Sequence, residues 1–218
     1  MKSKKSSSGG GRRAKKSSKK PQVAKLRIIG GHMGGRTVRY HGADFTRPMK
    51  DNIRENLFNI LGQAAKGAIA IDLFAGTGAL GLEALSRGAT RAIIVEQNRL
   101  AVKYIQETVD ELDVNSQVQI LIGDAFRLST EILSAPKDDT PWIVFLSPPY
   151  ALWHESLDAM NAMVRQTLEF APPGSVLVCE TDKPFDVDLF PKTQWDHRPY
   201  GNVRLSFAEP AMVCGMNL

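Results

Sequence analysis

Apolar residues along this chain fall into two alternating rhythms. "AIAIDLF" (68–74), "RAIIVE" (91–96), "VQILI" (118–122), "WIVFL" (142–146) and "SVLVCE" (175–180) are short, nearly continuous apolar runs, the pattern of strands buried on both faces. Between them lie segments of helical spacing: "ALGLEALSR" (79–87), residues 98–112 with Leu100, Ala101, Tyr104, Ile105, Val109 and Leu112 on one stripe, "AFRLSTEIL" (125–133), and residues 153–170. Strand and helix in strict alternation predict a parallel sheet covered on both faces. Near the end, "WDHRPYGNVRLSF" (195–207) reads as two strands around Gly201-Asn202, a turn that favours a hairpin, so the last two strands are expected to be antiparallel. Ahead of the alternating region, "LRII" (26–29) and "RTVRY" (36–40) predict short strands around "GGHMGG". A helix is expected over Asp51–Ala65, with Ile53, Leu57, Ile60, Leu61 and Ala64 at helical spacing and Pro48 just before its start, where proline is tolerated.

Charge divides the chain differently. Residues 1–43 hold 13 of the 28 Lys and Arg and none of the 23 Asp and Glu, so residues 44–218 carry a net charge of −8. A basic front on an acidic body suggests a polyanionic partner, most simply nucleic acid. Residues 1–22 are almost devoid of apolar side chains; they are expected to be a disordered basic tail, with Lys15 and Lys16 available for non-specific RNA contact by counterion release. Residues 23–50 are read as a β-hairpin extension that binds RNA through Arg27, Arg36 and Arg39, and residues 51–218 as the main domain. Cys179 and Cys214 show no CxxC spacing and the four histidines show no metal-ligand spacing; reduced thiols, no metal, no membrane span and a cytoplasmic, monomeric protein are the expectations.

Chemistry concentrates in two places. "DLFAGTGALG" (Asp72–Gly81) has the GxGxxG spacing at Gly76, Gly78 and Gly81, and Glu96 ends the next strand. Glycines there let the backbone approach a ligand, and an acid at the second strand's end can accept both ribose hydroxyls. A dinucleotide would fit this pattern, but the remainder of the chain offers no convincing hydride-acceptor site. S-adenosylmethionine needs the same ribose acid and has no pyrophosphate. Its amino-acid end would be met by Asp72 and by the loop amides of Phe74, Ala75, Gly76, Thr77 and Gly78. At the third strand's end, Asp124, beside Ala125, can accept from an adenine amine, cap the following helix, or do both.

The second place is "SPPY", Ser147, Pro148, Pro149 and Tyr150, at the end of what is expected to be the sheet's fourth strand. Ligands of such sheets sit at the carboxyl ends of the strands, near the switch in strand order, so "SPPY" should face the same crevice as the glycine loop. A base's exocyclic amine is a poor nucleophile because its lone pair is delocalised into the ring. Ser147 Oγ and the Pro148 carbonyl are candidate acceptors for its hydrogens, Pro149 stiffens the loop, and Tyr150 can stack on the base. With a sulfonium methyl donor, positioning and electrostatics suffice without a covalent intermediate.

With both motifs the sequence resembles the amino-group methyltransferases, whose signature is Asp/Asn/Ser-Pro-Pro-Tyr/Phe. More narrowly it resembles the bacterial small-subunit ribosomal RNA guanine-N2 methyltransferases, the RsmD family, from about Leu26 to the C-terminus. The marks are "RIIGG" (27–31), "TRPMKDNIRENLFNIL" (46–61), "DLFAGTGALGLEALSRGA" (72–89), "VEQNR" (95–99) and "FLSPPY" (145–150). The resemblance implies a Rossmann-like class I methyltransferase: a mostly parallel seven-stranded α/β sheet with helices on both faces and a C-terminal antiparallel hairpin. It further implies methylation of one guanine N2 in 16S rRNA, on an assembling or assembled small subunit, with S-adenosylmethionine as cofactor and Arg47 as a further cofactor contact.

Four positions depart from the family pattern. Ser147 stands where Asp is usual, a neutral acceptor in place of a charged one; Met49 and Asn52 alter the "TRPT-x-D-R" stretch; Gly34 replaces an arginine. Two other readings therefore stay open: methylation of cytosine N4 or adenine N6 in RNA or DNA, and a catalytically idle RNA-binding protein.

Overall fold

The computed structural model describes residues 23–42, 48–134, 136 and 138–210. Seven strands form one sheet: β3 (Ile69–Asp72), β4 (Arg91–Glu96), β5 (Val118–Ile122), β6 (Trp142–Leu146), β7 (Val176–Asp182), β8 (Trp195–Tyr200) and β9 (Val203–Ala208). Their spatial order is β5-β4-β3-β6-β7-β9-β8. The first five pair in parallel, and β9 runs antiparallel to both β7 and β8. This is the α/β architecture expected from the alternating pattern, with the expected hairpin at its end. A separate two-stranded antiparallel sheet pairs β1 (Ala24–Arg27) with β2 (Thr37–Tyr40).

Strand alternation sorts the core into two layers. Ile143 and Phe145 of β6 pack with Leu57, Leu82, Ile94 and Ile105 on one face, whereas Trp142, Val144 and Leu146 pack with Ile71, Val95, Trp153 and Val164 on the other. Successive side chains point to opposite faces, so a strand covered on both sides is apolar throughout, and all five residues of β6 are buried.

Helices α2 (Ala79–Ser86), α3 (Arg99–Leu112), α4 (Ala125–Ile132), α5 (Ala151–Glu155) and α6 (Leu157–Phe170) alternate with the strands. The segment expected as one helix over 153–170 is broken at Ser156, whose φ of −135° and ψ of 36° interrupt the helical geometry, and it begins two residues earlier. Likewise α1 (Asp51–Leu61) stops short of Ala65: Gly62, at φ 52°, turns the expected last helical turn into a 3-10 segment, Gly62–Ala65. Its buried face is Ile53, Arg54, Leu57, Phe58 and Leu61, while Ile60 is exposed.

Gly201 at φ 63° closes the two-residue β8–β9 turn. Pro199 sits on β8, the outer strand of the sheet, opposite Arg204. Gly81 permits close helix-to-sheet packing, since a Cβ there would lie 3.1 Å from Ile94 Cγ1.

The N-terminal hairpin is tied to this body by one buried acid. Glu83 on α2 is fully buried and accepts hydrogen bonds from the amides of Ile29 (2.6 Å) and Gly30 (2.9 Å) and from Arg87 Nε (2.9 Å). Arg54, also buried, faces Glu83 at 3.9 Å and donates to the Arg27 carbonyl (2.7 Å), to the Met49 carbonyl (3.2 Å) and to Asp51 (3.0 Å). One turn on, Ser86 accepts from the Met33 amide and donates to the Gly30 carbonyl. Gly31, at φ 75°, must be glycine, because a Cβ would stand 1.8 Å from the Ser86 carbonyl oxygen. Ile28, Met33 and Val38 then join the core layer of α1 and α2.

Removing one member of a buried charge network strands the other, a cost of about 3–5 kcal/mol. Glu83→Ala should therefore lower unfolding stability in urea by about that amount and raise protease sensitivity first in the hairpin. Wild-type stability in this variant would show that Arg54 and Arg87 do not depend on the acid.

Candidate active site

Parallel pairing sets β3 beside β6, with Asp72 opposite Phe145. The order reverses at this point: the chain runs outward from β3 through β4 and β5, then returns to place β6 on the other side. Loops leaving neighbouring carboxyl ends at such a reversal splay apart and leave a crevice. A cavity of about 1190 Å³ lies there. Leu73 to Thr77 form one wall and Ser147 to Tyr150 another. The remaining walls come from Pro48 to Lys50 with the first turn of α1, from Glu96 to Asn98, and from the β8–β9 turn at Tyr200–Val203. The two loops singled out in the sequence thus share one cavity.

The glycine loop is held by backbone geometry and by Glu96. Gly76 and Gly78 have φ of 56° and 74°, values that a side-chain-bearing residue reaches only with strain. The Ala75 amide donates to the Val95 carbonyl, tying the loop to β4. Glu96 accepts the Gly76 amide on one oxygen and the Asn98 amide on the other, both at 2.7 Å. An ionised carboxylate has about four lone-pair positions, so Glu96 keeps acceptor capacity toward the cavity it lines. Asn98, in turn, caps α3 by accepting from the Leu100 and Ala101 amides. Thr77, nearly buried, accepts from the Ala79 amide at the start of α2.

Asp72 lies behind this loop, fully buried, and neither of its oxygens closes a hydrogen bond. Burial pushes its pKa up to about 7; the nearby charge of Glu96 adds to the rise, and the amides of Gly81 and Phe74 oppose it. A buried carboxyl that these two amides approach without closing a full hydrogen bond is a costly feature for a fold to retain.

Asp124 accepts the Phe126 amide at 2.7 Å and so caps α4. Its side chain is exposed; its neighbours Gly123 and Ala125, rather than Asp124, line the cavity. Arg47, Lys15 and Lys16 lie outside the described residues. Arg27 pairs with Asp51, Arg36 donates to the Glu111 carbonyl and Arg39 pairs with the Glu111 carboxylate. These three arginines sit on or beside the hairpin and do not line the cavity.

The "SPPY" loop ends β6 and opens directly into α5. The Pro149 and Tyr150 carbonyls accept the amides of Leu152 and Trp153, and buried Trp153 donates its indole N–H to the Glu180 carbonyl at 2.8 Å, clamping the helix to β7. Pro148 is buried and Pro149 exposed. Ser147 Oγ and Tyr150 Oη both hydrogen-bond the Glu180 side chain, Tyr150 at 2.8 Å. Glu180, nearly buried on β7, also lines the cavity. The sequence reading passed over it. Its signal resembles the one that marked Asp72 and Glu96: an acid directly after the apolar run of a strand, here "VLVC" followed by Glu180.

Comparison with known proteins agrees with this geometry. The family model described as "Conserved hypothetical protein 95" matches residues 26–209. The chain belongs to that family. It is 32% identical over 172 residues to the protein named "Putative rRNA methyltransferase YlbH" of Bacillus subtilis, covering 78% of this chain and 89% of that one. It is 36% identical over 128 residues to "Ribosomal RNA small subunit methyltransferase D" of Escherichia coli, covering 58% and 61%. Among solved structures, "Putative methyltransferase yhhF from Escherichia coli" superposes with a TM-score of 0.70 at 26% identity, covering 86% of this chain and 98% of that one.

Family and fold agree on a methyltransferase, and such a fold implies S-adenosylmethionine. The residues present fit that group. Gly76, at positive φ, brings backbone to the cavity, Glu96 retains ribose-acceptor capacity, and the carboxyl of Asp72 is buried directly behind the loop, outside the cavity's lining.

The raised pKa of Asp72 has a stability consequence. Between its unfolded value, 3.8, and about 7 the folded protein holds a proton that the unfolded chain has lost. Stability therefore falls as pH rises through that window, by up to about 1.4 kcal/mol per pH unit for this group. Urea unfolding of wild type and Asp72→Asn between pH 4 and 8 should show a smaller decline with pH in the variant; identical slopes would mean that Asp72 does not titrate there.

Proposed function

We propose that this protein transfers a methyl group from S-adenosylmethionine to the exocyclic N2 amine of a guanine in 16S ribosomal RNA of the small subunit. One observation carries the reading: the glycine loop with Glu96 and the "SPPY" loop line a single cavity at the reversal of strand order. The family relatives named as ribosomal RNA methyltransferases support the substrate class.

When bound, the cofactor supplies an electrophilic methyl group on sulfur. The residues of this chain do the rest by placement. Phe74 to Gly78 receive the amino-acid end with Asp72 buried behind them, Glu96 takes the ribose hydroxyls, and Gly123 and Ala125 border the adenine on either side of Asp124, with Arg47 assigned as a further contact. Ser147 Oγ and the Pro148 carbonyl hold the amine's hydrogens. That fixes its nitrogen toward the donor and helps draw it out of conjugation with the ring. Pro149 keeps the loop rigid, and Tyr150, tethered through its hydroxyl, offers its ring to the base. A target base that enters the cavity must leave its stack. Arg27, Arg36 and Arg39 flank the body on the hairpin, and the Arg27 side chain remains 69% exposed even while paired. With Lys15 and Lys16 in the tail they form the electrostatic approach surface for RNA.

Deleting the gene and mapping 16S rRNA by nucleoside mass spectrometry should show the loss of one N2-methylguanine. Loss of an N4-methylcytosine or an N6-methyladenine, or of no mark, would overturn the assignment. Tyr150→Ala should lower turnover by about 5- to 150-fold, the stacking worth of about 1–3 kcal/mol per base, while cofactor affinity by calorimetry is retained. Equal turnover would remove Tyr150 from base recognition. Truncating residues 1–22 should weaken RNA binding and flatten its dependence on salt; an unaltered slope would exclude the tail from the interface.

A further inference from the structure

The contacts of Glu180 bear on which base enters the cavity. A carboxylate only accepts hydrogen bonds, so the two hydroxyl groups that touch it, Ser147 Oγ–H and Tyr150 Oη–H, donate their hydrogens to it. Ser147 has one hydrogen to give, and Glu180 takes it. Its lone pairs are then left for the cavity that Ser147 lines. Glu180 itself has four lone-pair positions and spends two on these hydroxyls. The third neighbour, Trp153, bonds the Glu180 main-chain carbonyl and consumes none of them. The end of the cavity beside the "SPPY" loop therefore presents acceptors: Ser147 Oγ and the remaining lone pairs of Glu180.

Bases with an exocyclic amine differ in what lies next to it. On the Watson–Crick edge of guanine the neighbour is N1–H, a donor, so amine and ring present donor beside donor there, while N3 lies on the amine's other flank. In adenine the neighbour is N1 and in cytosine N3, each a bare lone pair, so both present donor beside acceptor. A wall of acceptors pairs with the first arrangement and repels the second.

We propose that Glu180 is the residue that makes this site specific for guanine. It acts by fixing Ser147 as an acceptor for the N2 amine and by setting a negative charge against the N1–H. The serine in place of the family's usual aspartate does not then leave the amine without a charged acceptor nearby: the carboxylate stands one hydrogen bond further back, on the adjacent strand β7. The inference rests on the amine-methylation reading above and adds the identity of the selecting group.

The decisive substrate is an RNA fragment carrying the target guanine or, in its place, 2-aminopurine, which keeps the 2-amine but has a bare N1. Wild type should methylate guanine and turn over 2-aminopurine at least 10- to 100-fold less well, the usual worth of a paired base edge. Glu180→Gln puts an amide donor in the wall. It should cut kcat/KM on guanine by about 10-fold or more and shrink the guanine to 2-aminopurine ratio by at least 10-fold, with cofactor affinity by calorimetry and melting temperature near wild type. A variant that loses both substrates in equal proportion would show Glu180 to be structural, and one that retains wild-type guanine activity would show it to be idle; either overturns the proposal.

Glu180→Ala combined with Ser147→Asp supplies a second arm, since the aspartate restores a carboxylate at the amine. Recovery of guanine preference over 2-aminopurine relative to Glu180→Ala alone supports a charge-based selection, and absence of recovery opposes it. Failure of wild type to methylate the guanine fragment, while it methylates a cytosine or adenine one, would instead refute the functional assignment itself.

Discussion

The pairing of β3 with β6 is the constraint on which the site depends. These two strands are separated in sequence by two strand–helix units, yet their registers align Asp72 with Phe145. Each then ends within a residue or two of its neighbour, so that the glycine loop and the "SPPY" loop leave the sheet side by side and line one cavity. A slip of one residue would turn the apolar set of β6 over and put Phe145 and Val144 into the wrong core layers. With both faces of β6 buried, such a slip is strongly disfavoured, and the functional geometry is specified by the same packing that specifies the fold.

The second support is the buried acid Glu83. It explains why the short N-terminal stretch "RIIGG" belongs with the glycine-loop segment although more than forty residues separate them. The amides of Ile29 and Gly30 require an acceptor, α2 provides it, and α2 is the helix that begins at the glycine loop. Arg54 extends the network to the segment before α1, which forms a further wall of the cavity. The hairpin, the wall and the ligand loop are therefore mechanically continuous.

Much of this was legible in the sequence because apolar runs and amphipathic spacings are local signals. The strands at 91–96, 118–122 and 142–146, the hairpin turn at Gly201-Asn202, and the meeting of the two motifs all follow from such patterns and from the rule that ligands bind at a switch in strand order. Helix continuity was less legible. The break at Ser156 lies inside a run of good helical spacing, and only the packing of Trp153 between β7 and Phe190 shows why the chain stops and restarts. Ile60 was assigned to the buried stripe of α1 but is exposed, because Phe58, with its ring 5.8 Å from that of Phe145, takes the core-facing place. Glu180 was missed for another reason. Its role arises from a lateral contact between strands, and no spacing along the chain announces that a serine and a glutamate 33 residues apart will touch.

The outer strand β8 carries one more message. In a two-residue hairpin the pair flanking the turn, Tyr200 and Val203, exchanges hydrogen bonds; the next pair, Pro199 and Arg204, does not, so the proline nitrogen faces away from β9. A nitrogen without hydrogen on that open margin offers nothing for another chain's carbonyl to grasp. Copies of the molecule crowded together are thus kept from zipping into a continuous ribbon, and the row of strands stops at the seventh.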